Sequence, residues 1–255
     1  MKNIFSLEGK VAIITGGGQG LGKAMACGMA EFGADVVVAE ISSEKTTDVI
    51  DKIKSLGRKG IFIPCDVSKL NDIDRVVKKT VSEFGHIDIL VNNAFISVRE
   101  LPEDVTEEHW DRVLEVDLKG VFFFCQRAGQ IMIKQKKGNI INMATIAAIV
   151  GLPRGNASYT AAKGGIVSMT RMLAVEWAKH NIRVNAIAPC QFKTPSTKDL
   201  LQPDSPYRQS ILNAIPLGRA GEPEEIVGPA VFLASDASSM VTGHVLMVDG
   251  GMTIY

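Results

Sequence analysis

Residues 10–22 read KVAIITGGGQGLG. Val11 to Ile14 form an apolar run that ends at a cluster of glycines, and a helical pattern opens at residue 20. A buried strand that stops at glycines and turns at once into a helix is the first half of a β-α-β unit. Glycines let a backbone pass close to a pyrophosphate, and the first helical turn offers free N–H groups and partial positive charge. The glycines Gly16, Gly20 and Gly22 are spaced G-x-x-x-G-x-G rather than G-x-G-x-x-G. The turn draws its meaning from its place between strand and helix.

The rest of the chain repeats that pattern. KVAIIT (10–15), DVVVAE (35–40), GIFIPC (60–65), IDILVN (87–92), NIINMA (139–144), IRVNAIAP (182–189) and HVLMVD (244–249) read as strands. Most are near-continuous apolar runs, as strands covered on both faces require. Amphipathic stretches at 20–32, 43–56, 69–84, 107–135 and 159–180 read as helices between them. This alternation predicts an α/β fold, a parallel sheet with helices on both faces and right-handed crossovers. No linker, repeat or low-complexity segment divides the chain, so residues 1–255 are expected to form one domain. Residues 190–221 interrupt the rhythm with Pro195, Pro203, Pro206 and Pro216 among polar residues. They follow a strand's carboxyl end, where open α/β sheets bind ligands, and read as a substrate lid or a passive surface excursion.

Lys plus Arg and Asp plus Glu number 28 each, so no basic surplus exists to neutralise nucleic-acid phosphates or to hold an anionic membrane. No stretch reaches the roughly 18 apolar residues of a membrane span, and charge and glycine interrupt the N-terminus before a signal peptide forms. Cys27, Cys65, Cys125 and Cys190 are scattered without a C-x-x-C pair, which argues against a disulfide framework or a metal site. The expectation is a soluble cytoplasmic protein with free thiols, binding no metal, nucleic acid or membrane.

Two further features carry chemistry. Glu40 closes the second apolar run about 20 residues past the glycines, where a carboxylate accepts both hydroxyls of an adenosine ribose and repels a 2′-phosphate. No arginine or lysine stands at Gln19 or Ile41 to offset that repulsion, which favours NAD over NADP. In NASYTAAK (156–163), Tyr159 and Lys163 lie one helical turn apart, downstream of the hydroxyl of Thr145.

In order and spacing, TGGGQGLG (15–22), CDVS (65–68), NNA (92–94), YTAAK (159–163), IRVNAIAP (182–189) and VTGHVLMVDGG (241–251) resemble the short-chain dehydrogenase/reductases over nearly the whole chain. The resemblance implies a Rossmann-like, doubly wound fold with a seven-stranded parallel sheet. It implies a nicotinamide cofactor held by Gly16, Gln19, Gly20, Leu21, Gly22 and Glu40, with Asp66 and Val67 bordering the adenine. Asn93, Ala94 and Pro189 would line the cofactor, and Thr194 would meet its nicotinamide end. Tyr159 would be the general acid/base, its phenol lowered from about 10 by Lys163 and the positive nicotinamide. Lys163 would also hold the nicotinamide ribose, and Thr145 would steady the substrate oxygen.

Four positions depart from the family's pattern. Thr145 stands for the usual serine, one residue further than usual from Tyr159. Asp117 stands for the asparagine that anchors a proton-relay water, Phe95 for the glycine of NNAG, and Cys190 for the glycine after Pro189. The C-terminal region is most similar to gluconate 5-dehydrogenases and 2-deoxy-gluconate 3-dehydrogenases, some of which carry aspartate at the Asp117 position. The expected activity is NAD-dependent hydride transfer to or from a secondary alcohol or ketone, a sugar acid or polyol. A 3-oxoacyl-thioester reductase and a non-catalytic NAD-binding protein remain as alternatives. Arg99 and Arg154, with Gln191, are the candidates for a substrate carboxylate, against a reading of both arginines as solvated surface. Surplus apolar surface on 107–135 and 159–180 points to a homotetramer, with a dimer as the alternative.

Overall fold

The computed structural model describes residues 3–152 and 156–254. Seven parallel strands, β1 Val11–Thr15, β2 Asp35–Glu40, β3 Gly60–Pro64, β4 Ile89–Asn92, β5 Gly138–Met143, β6 Ile182–Pro189 and β7 Val245–Val248, form one sheet in the order β3-β2-β1-β4-β5-β6-β7. The chain starts in the middle, winds to one edge, returns, and winds to the other. That reversal between β1 and β4 is the switch point where open sheets bind ligands. All seven predicted strands are present within two residues of their expected ends.

Alternation along each strand divides the core. Ile13, Val37, Leu90, Ile140 and Val184 face one layer, which includes Ile73, Val76, Phe124, Ala128, Ile166 and Leu173. The helices of that layer are α3 Leu70–Phe84, α5 Val121–Gln135 and α6 Ala157–Trp177. Ala12, Ile14, Val36, Val38 and Ile141 face the other layer with Met25, Met29, Ile53 and Leu233. Its helices are α1 Gly20–Glu31, α2 Thr47–Ser55 and, further along the chain, α9 Val227–Ala234. Among the described residues, no helix is long and apolar enough to cross a membrane.

Three helical expectations change. The stretch 107–135 is not one helix: α4 Glu107–Leu114 passes into a π-helical turn, Glu115–Gly120, before α5 begins. The first part of 43–56 is a turn, closed by the Thr46 N–H and hydroxyl donating to the Ser43 carbonyl at 3.0 and 2.8 Å. Helix α9 was not expected, because VGPAVFLA is apolar nearly all round and shows no amphipathic stripe.

Residues 190–221 are not structureless. They contain α7 Lys198–Leu201 and α8 Arg208–Asn213, which enclose a small core of Leu200, Ile211 and Ile215, with Cys190 and Met252 against it. The segment is stitched at its base, where the Gly221 N–H donates to the Gln191 carbonyl at 2.9 Å and the Lys193 N–H to the Gly221 carbonyl at 2.8 Å.

A buried polar chain fixes α6 on the sheet. The Asn92 amide donates to Asn142 Oδ1 at 2.9 Å, and the Asn142 amide donates to the Thr170 hydroxyl at 3.0 Å. Asn92, Asn142 and Thr170 thus satisfy one another in the core, and the chain ties α6 to β4 and β5.

Candidate active site

The glycine turn after β1 is held by residues reached from β4. The Thr15 hydroxyl accepts the N–H groups of Asn93 and Ala94 at 2.9 and 3.0 Å. The Asn93 amide returns two bonds, to the Thr15 and Gly16 carbonyls, both at 3.0 Å. A Cβ on Gly22 would lie 2.1 Å from the Gly16 carbonyl oxygen, and one on Gly16 would lie 2.9 Å from the Ala94 Cα. Only glycine permits that approach of helix, turn and strand. Gln19 caps α1 without a side-chain hydrogen bond, and the first turn holds no acidic residue. The helix N-terminus is therefore left to an external anion, which fits a dinucleotide pyrophosphate.

Glu40 sits at the end of β2 beside the same turn. Its carboxylate accepts the Gly18 N–H at 3.3 Å and the Ile41 N–H at 2.9 Å. A Cβ on Gly18 would lie 3.2 Å from that carboxylate and 2.9 Å from the Lys45 Cβ, so Lys45 also borders this corner, a neighbour the motif did not reveal. Burial pushes the Asp66 carboxyl up, but the Ser68 hydroxyl at 2.7 Å and N–H at 3.0 Å outweigh it and hold it below the usual carboxylate range. Asp66 is thus turned to its own loop. Val67 is buried, and its carbonyl would lie 2.5 Å from a Cβ on Gly120, which makes glycine necessary at the end of the π turn. Thr194 packs its methyl over Gly20, 3.4 Å from where a Cβ would stand. The first turn of the 190–221 segment therefore lies over the N-terminus of α1. Pro189 ends β6, paired with Val248. Leu21 and Gln191 are half-buried, and Arg99 is exposed on the loop after β4. Arg154 lies outside the described residues.

The hydroxyl and amine groups converge where β5 ends. Thr145 accepts the Ala147 N–H at 3.3 Å and caps a short 3-10 turn, Ile146–Ala148. Its hydroxyl faces Tyr159 on α6. Lys163, one turn on, is 2% exposed and donates to the Met143 carbonyl at 3.0 Å. Its Nζ lies 5.5 Å from the centre of the Tyr159 ring and 5.9 Å from that of Phe95, whose ring in turn stands 6.0 Å from Tyr159. Phe95 is a lid of apolar surface over the pair. Beside it, the Ser97 hydroxyl reaches Asn156 Oδ1 at 3.4 Å, and Glu100 forms a β-bridge to Asn156. That bridge draws the loop after β4 toward the start of α6.

Asp117 enters from the π turn with no exposed surface. Its Oδ1 accepts the Ile96 N–H at 2.8 Å, and its Oδ2 lies 3.5 Å from Lys163 Nζ. Burial holds the Asp117 carboxyl above the ordinary carboxylate range, against the pull of the Lys163 ammonium and the Ile96 N–H. Tyr159 differs from the sequence expectation. Burial first, then the Asp117 charge, push its phenol above the ordinary value, and only the Thr145 hydroxyl works the other way. The Lys163 ammonium is itself engaged by Asp117 and Met143.

The buried ion pair makes a stability prediction with a definite sign. In Lys163→Met the Asp117 carboxyl loses its counter-charge, and its folded pKa rises further. A carboxyl with a raised folded pKa contributes stability below its unfolded value and loses it as pH climbs through the folded value. Lys163→Met should therefore lose ~3–5 kcal/mol at about pH 8, the cost of an uncompensated buried charge. The deficit should narrow on acidification toward about pH 5. A pH-independent deficit in denaturant titrations would contradict the pairing.

Known proteins give this geometry a context. A family profile described as Enoyl-(Acyl carrier protein) reductase matches residues 16–253. A 2-dehydro-3-deoxy-D-gluconate 5-dehydrogenase of Escherichia coli (strain K12) is 45% identical over 248 residues, covering 97% of this chain and 96% of the relative. A 3-oxoacyl-[acyl-carrier-protein] reductase of Thermotoga maritima is 44% identical, covering 97% and 99%. The crystal structure of a protein from Beutenbergia cavernae, described as a putative NAD(P)-dependent gluconate 5-dehydrogenase with bound NADP, superposes with a TM-score of 0.93 at 37% identity, covering 99% of this chain and all of that one. With the sheet order, the glycine turn and the hydroxyl–tyrosine–lysine cluster in place, the chain belongs to the short-chain dehydrogenase/reductase family, oxidoreductases that act on CH–OH groups with a nicotinamide cofactor.

Proposed function

We propose that this protein is an NAD-dependent dehydrogenase of a sugar acid, interconverting a secondary alcohol and its ketone. The observation that carries the reading is the convergence of Thr145, Tyr159 and Lys163 at the carboxyl end of β5, on the same edge of the sheet as the glycine turn. The nicotinamide, when bound, supplies the hydride acceptor and donor. Tyr159 exchanges the proton of the substrate oxygen at its own hydroxyl, in either direction. Thr145 steadies that oxygen, and Lys163 holds the nicotinamide ribose. Gly16, Gln19, Gly20, Leu21, Gly22, Asn93, Ala94, Pro189 and Thr194 form the cofactor cleft, with Asp66 and Val67 at its adenine end. Residues 190–221 act as the substrate lid of one catalytic domain.

NAD is preferred because the Glu40 carboxylate stands beside the glycine turn, where a 2′-phosphate would meet its charge. The Escherichia coli and Beutenbergia relatives support a sugar acid as substrate. Its carboxylate needs donors, and Arg99 and Ser97 on the loop after β4, with Gln191 after β6, are the groups that would supply them. The Thermotoga relative favours a 3-oxoacyl thioester instead, a reading that the equal charge balance and Glu40 oppose. The grooves of α5 and α6 support a homotetramer. Leu118, Phe122, Phe123 and Met169 line one of about 550 Å³, rimmed by Asp111 and Lys119, while Met172 and Val175 stand exposed nearby. Contiguous apolar surface of this kind marks an interface. A cytoplasmic location suits the free thiols Cys27, Cys65, Cys125 and Cys190.

The assay that tests this reading offers NAD and NADP with sugar acids, neutral polyols and acyl thioesters. Sugar-acid turnover with NAD is expected, and Tyr159→Phe should lower it by at least ~10²–10⁴-fold while the fold persists. Turnover of neutral alcohols or thioesters alone rejects the substrate, and near-full activity of Tyr159→Phe rejects the chemistry. Glu40→Ala should relax the preference for NAD; equal efficiency with both cofactors in the unmodified protein rejects the role of Glu40. Light scattering at micromolar concentration should give four subunits, and a monomer would count against the interface.

A further inference from the structure

We propose, resting on the reading of Tyr159 as the proton carrier, that Asp117 is a positioning residue: it shares the Lys163 ammonium beside the Tyr159 ring and sets the pH at which Tyr159 releases its proton. The observations are geometric. The π turn Glu115–Gly120 interrupts a long helix at the point where Asp117 must point inward, and π turns of this kind accompany functional sites. The two carboxylate oxygens are divided between tasks. Oδ1 accepts the Ile96 N–H and so fixes the loop that carries Phe95, Ser97 and Arg99. Oδ2 has no hydrogen-bond partner of ordinary geometry among the described residues and faces Lys163 Nζ at 3.5 Å. The ammonium is thus held from two sides, by the π turn and by the Met143 carbonyl at the end of β5.

The groups that face Tyr159 from each neighbouring element are few. Lys163 comes from its own helix, and Asp117 from the π turn. Thr145, from the loop after β5, offers a neutral hydroxyl, and Phe95, from the loop after β4, an apolar ring. The anion opposes phenolate and shares the cation that would favour it. Asparagine at this position would keep an oxygen for the Ile96 N–H, remove the anion and free the ammonium. Aspartate therefore keeps Tyr159 a proton donor to higher pH and moves proton abstraction from an alcohol to the alkaline side.

The test is Asp117→Asn, read in two ways. The chain has three tyrosines, Tyr159, Tyr207 and Tyr255, so the Tyr159 share of the tyrosinate absorbance is the difference between each protein and its Tyr159→Phe counterpart. In Asp117→Asn that signal should begin at a pH lower by about one unit or more. The acid limb of kcat/KM for alcohol oxidation should move down with it, measured on sugar acids and on a simple secondary alcohol. If sugar acids are not substrates, the secondary alcohol and the absorbance still read Asp117. If Tyr159→Phe keeps its turnover, the catalytic reading falls and the absorbance difference alone decides. Should the asparagine variant fail to fold, Asp117→Ser carries the same expectation. An unchanged or raised onset of the Tyr159 signal overturns the proposal, and so does lower turnover at every pH with no shift, the mark of a merely structural residue.

Discussion

All seven strands run the same way, and the site depends on that constraint. A parallel sheet sends every strand's carboxyl end to one edge, so the glycine turn after β1, the Asn93 loop after β4, Thr145 after β5 and the 190–221 segment after β6 meet there without further design. The order reversal between β1 and β4 opens the crevice between them. Thr15 and Asn93 close its floor with hydrogen bonds, and the glycines of the turn leave room for a phosphate backbone.

On that floor the chemistry is set by burial. Lys163 and Asp117 are both removed from water, where neither is cheap to keep charged alone, and their pairing fixes Lys163 between the π turn and β5. Tyr159 is caught in the same field. Its phenol rises because it is buried beside an anion, while Thr145 supplies the one opposing hydrogen bond. Phe95, itself exposed on its outer side, packs its ring against the group. The Tyr159 phenol thus holds its proton more tightly than a free tyrosine, through burial and the carboxylate of the π turn.

Much of this was legible in the chain. Runs such as VAIIT and DVVVAE are apolar on both faces and bounded by glycine or charge, so the strands and their parallel sense could be read directly. The glycine turn, Glu40 and the Tyr159–Lys163 spacing depend on local sequence alone. Three things were hidden for physical reasons. The π turn leaves no trace in a periodicity of 3.6, because one shifted turn in a stretch of 29 residues barely changes the pattern. Helix α9 lacks a polar face, so no amphipathic signal marks it. The engagement of Lys163 by Asp117 joins residues far apart in sequence; Asp117 stood out only as a departure from the family's pattern, so the carboxylate's opposing effect on Tyr159 was not legible.

The central claim is direct hydride transfer from a carbon of the substrate to the nicotinamide. It is tested by supplying a sugar acid deuterated at the carbons that bear its secondary hydroxyls, together with NAD, and locating the label by NMR. The account predicts one deuterium at C4 of the reduced nicotinamide, on a single face, and a ketone at the carbon that lost it. Reduced nicotinamide without label, or label released to water, would contradict it.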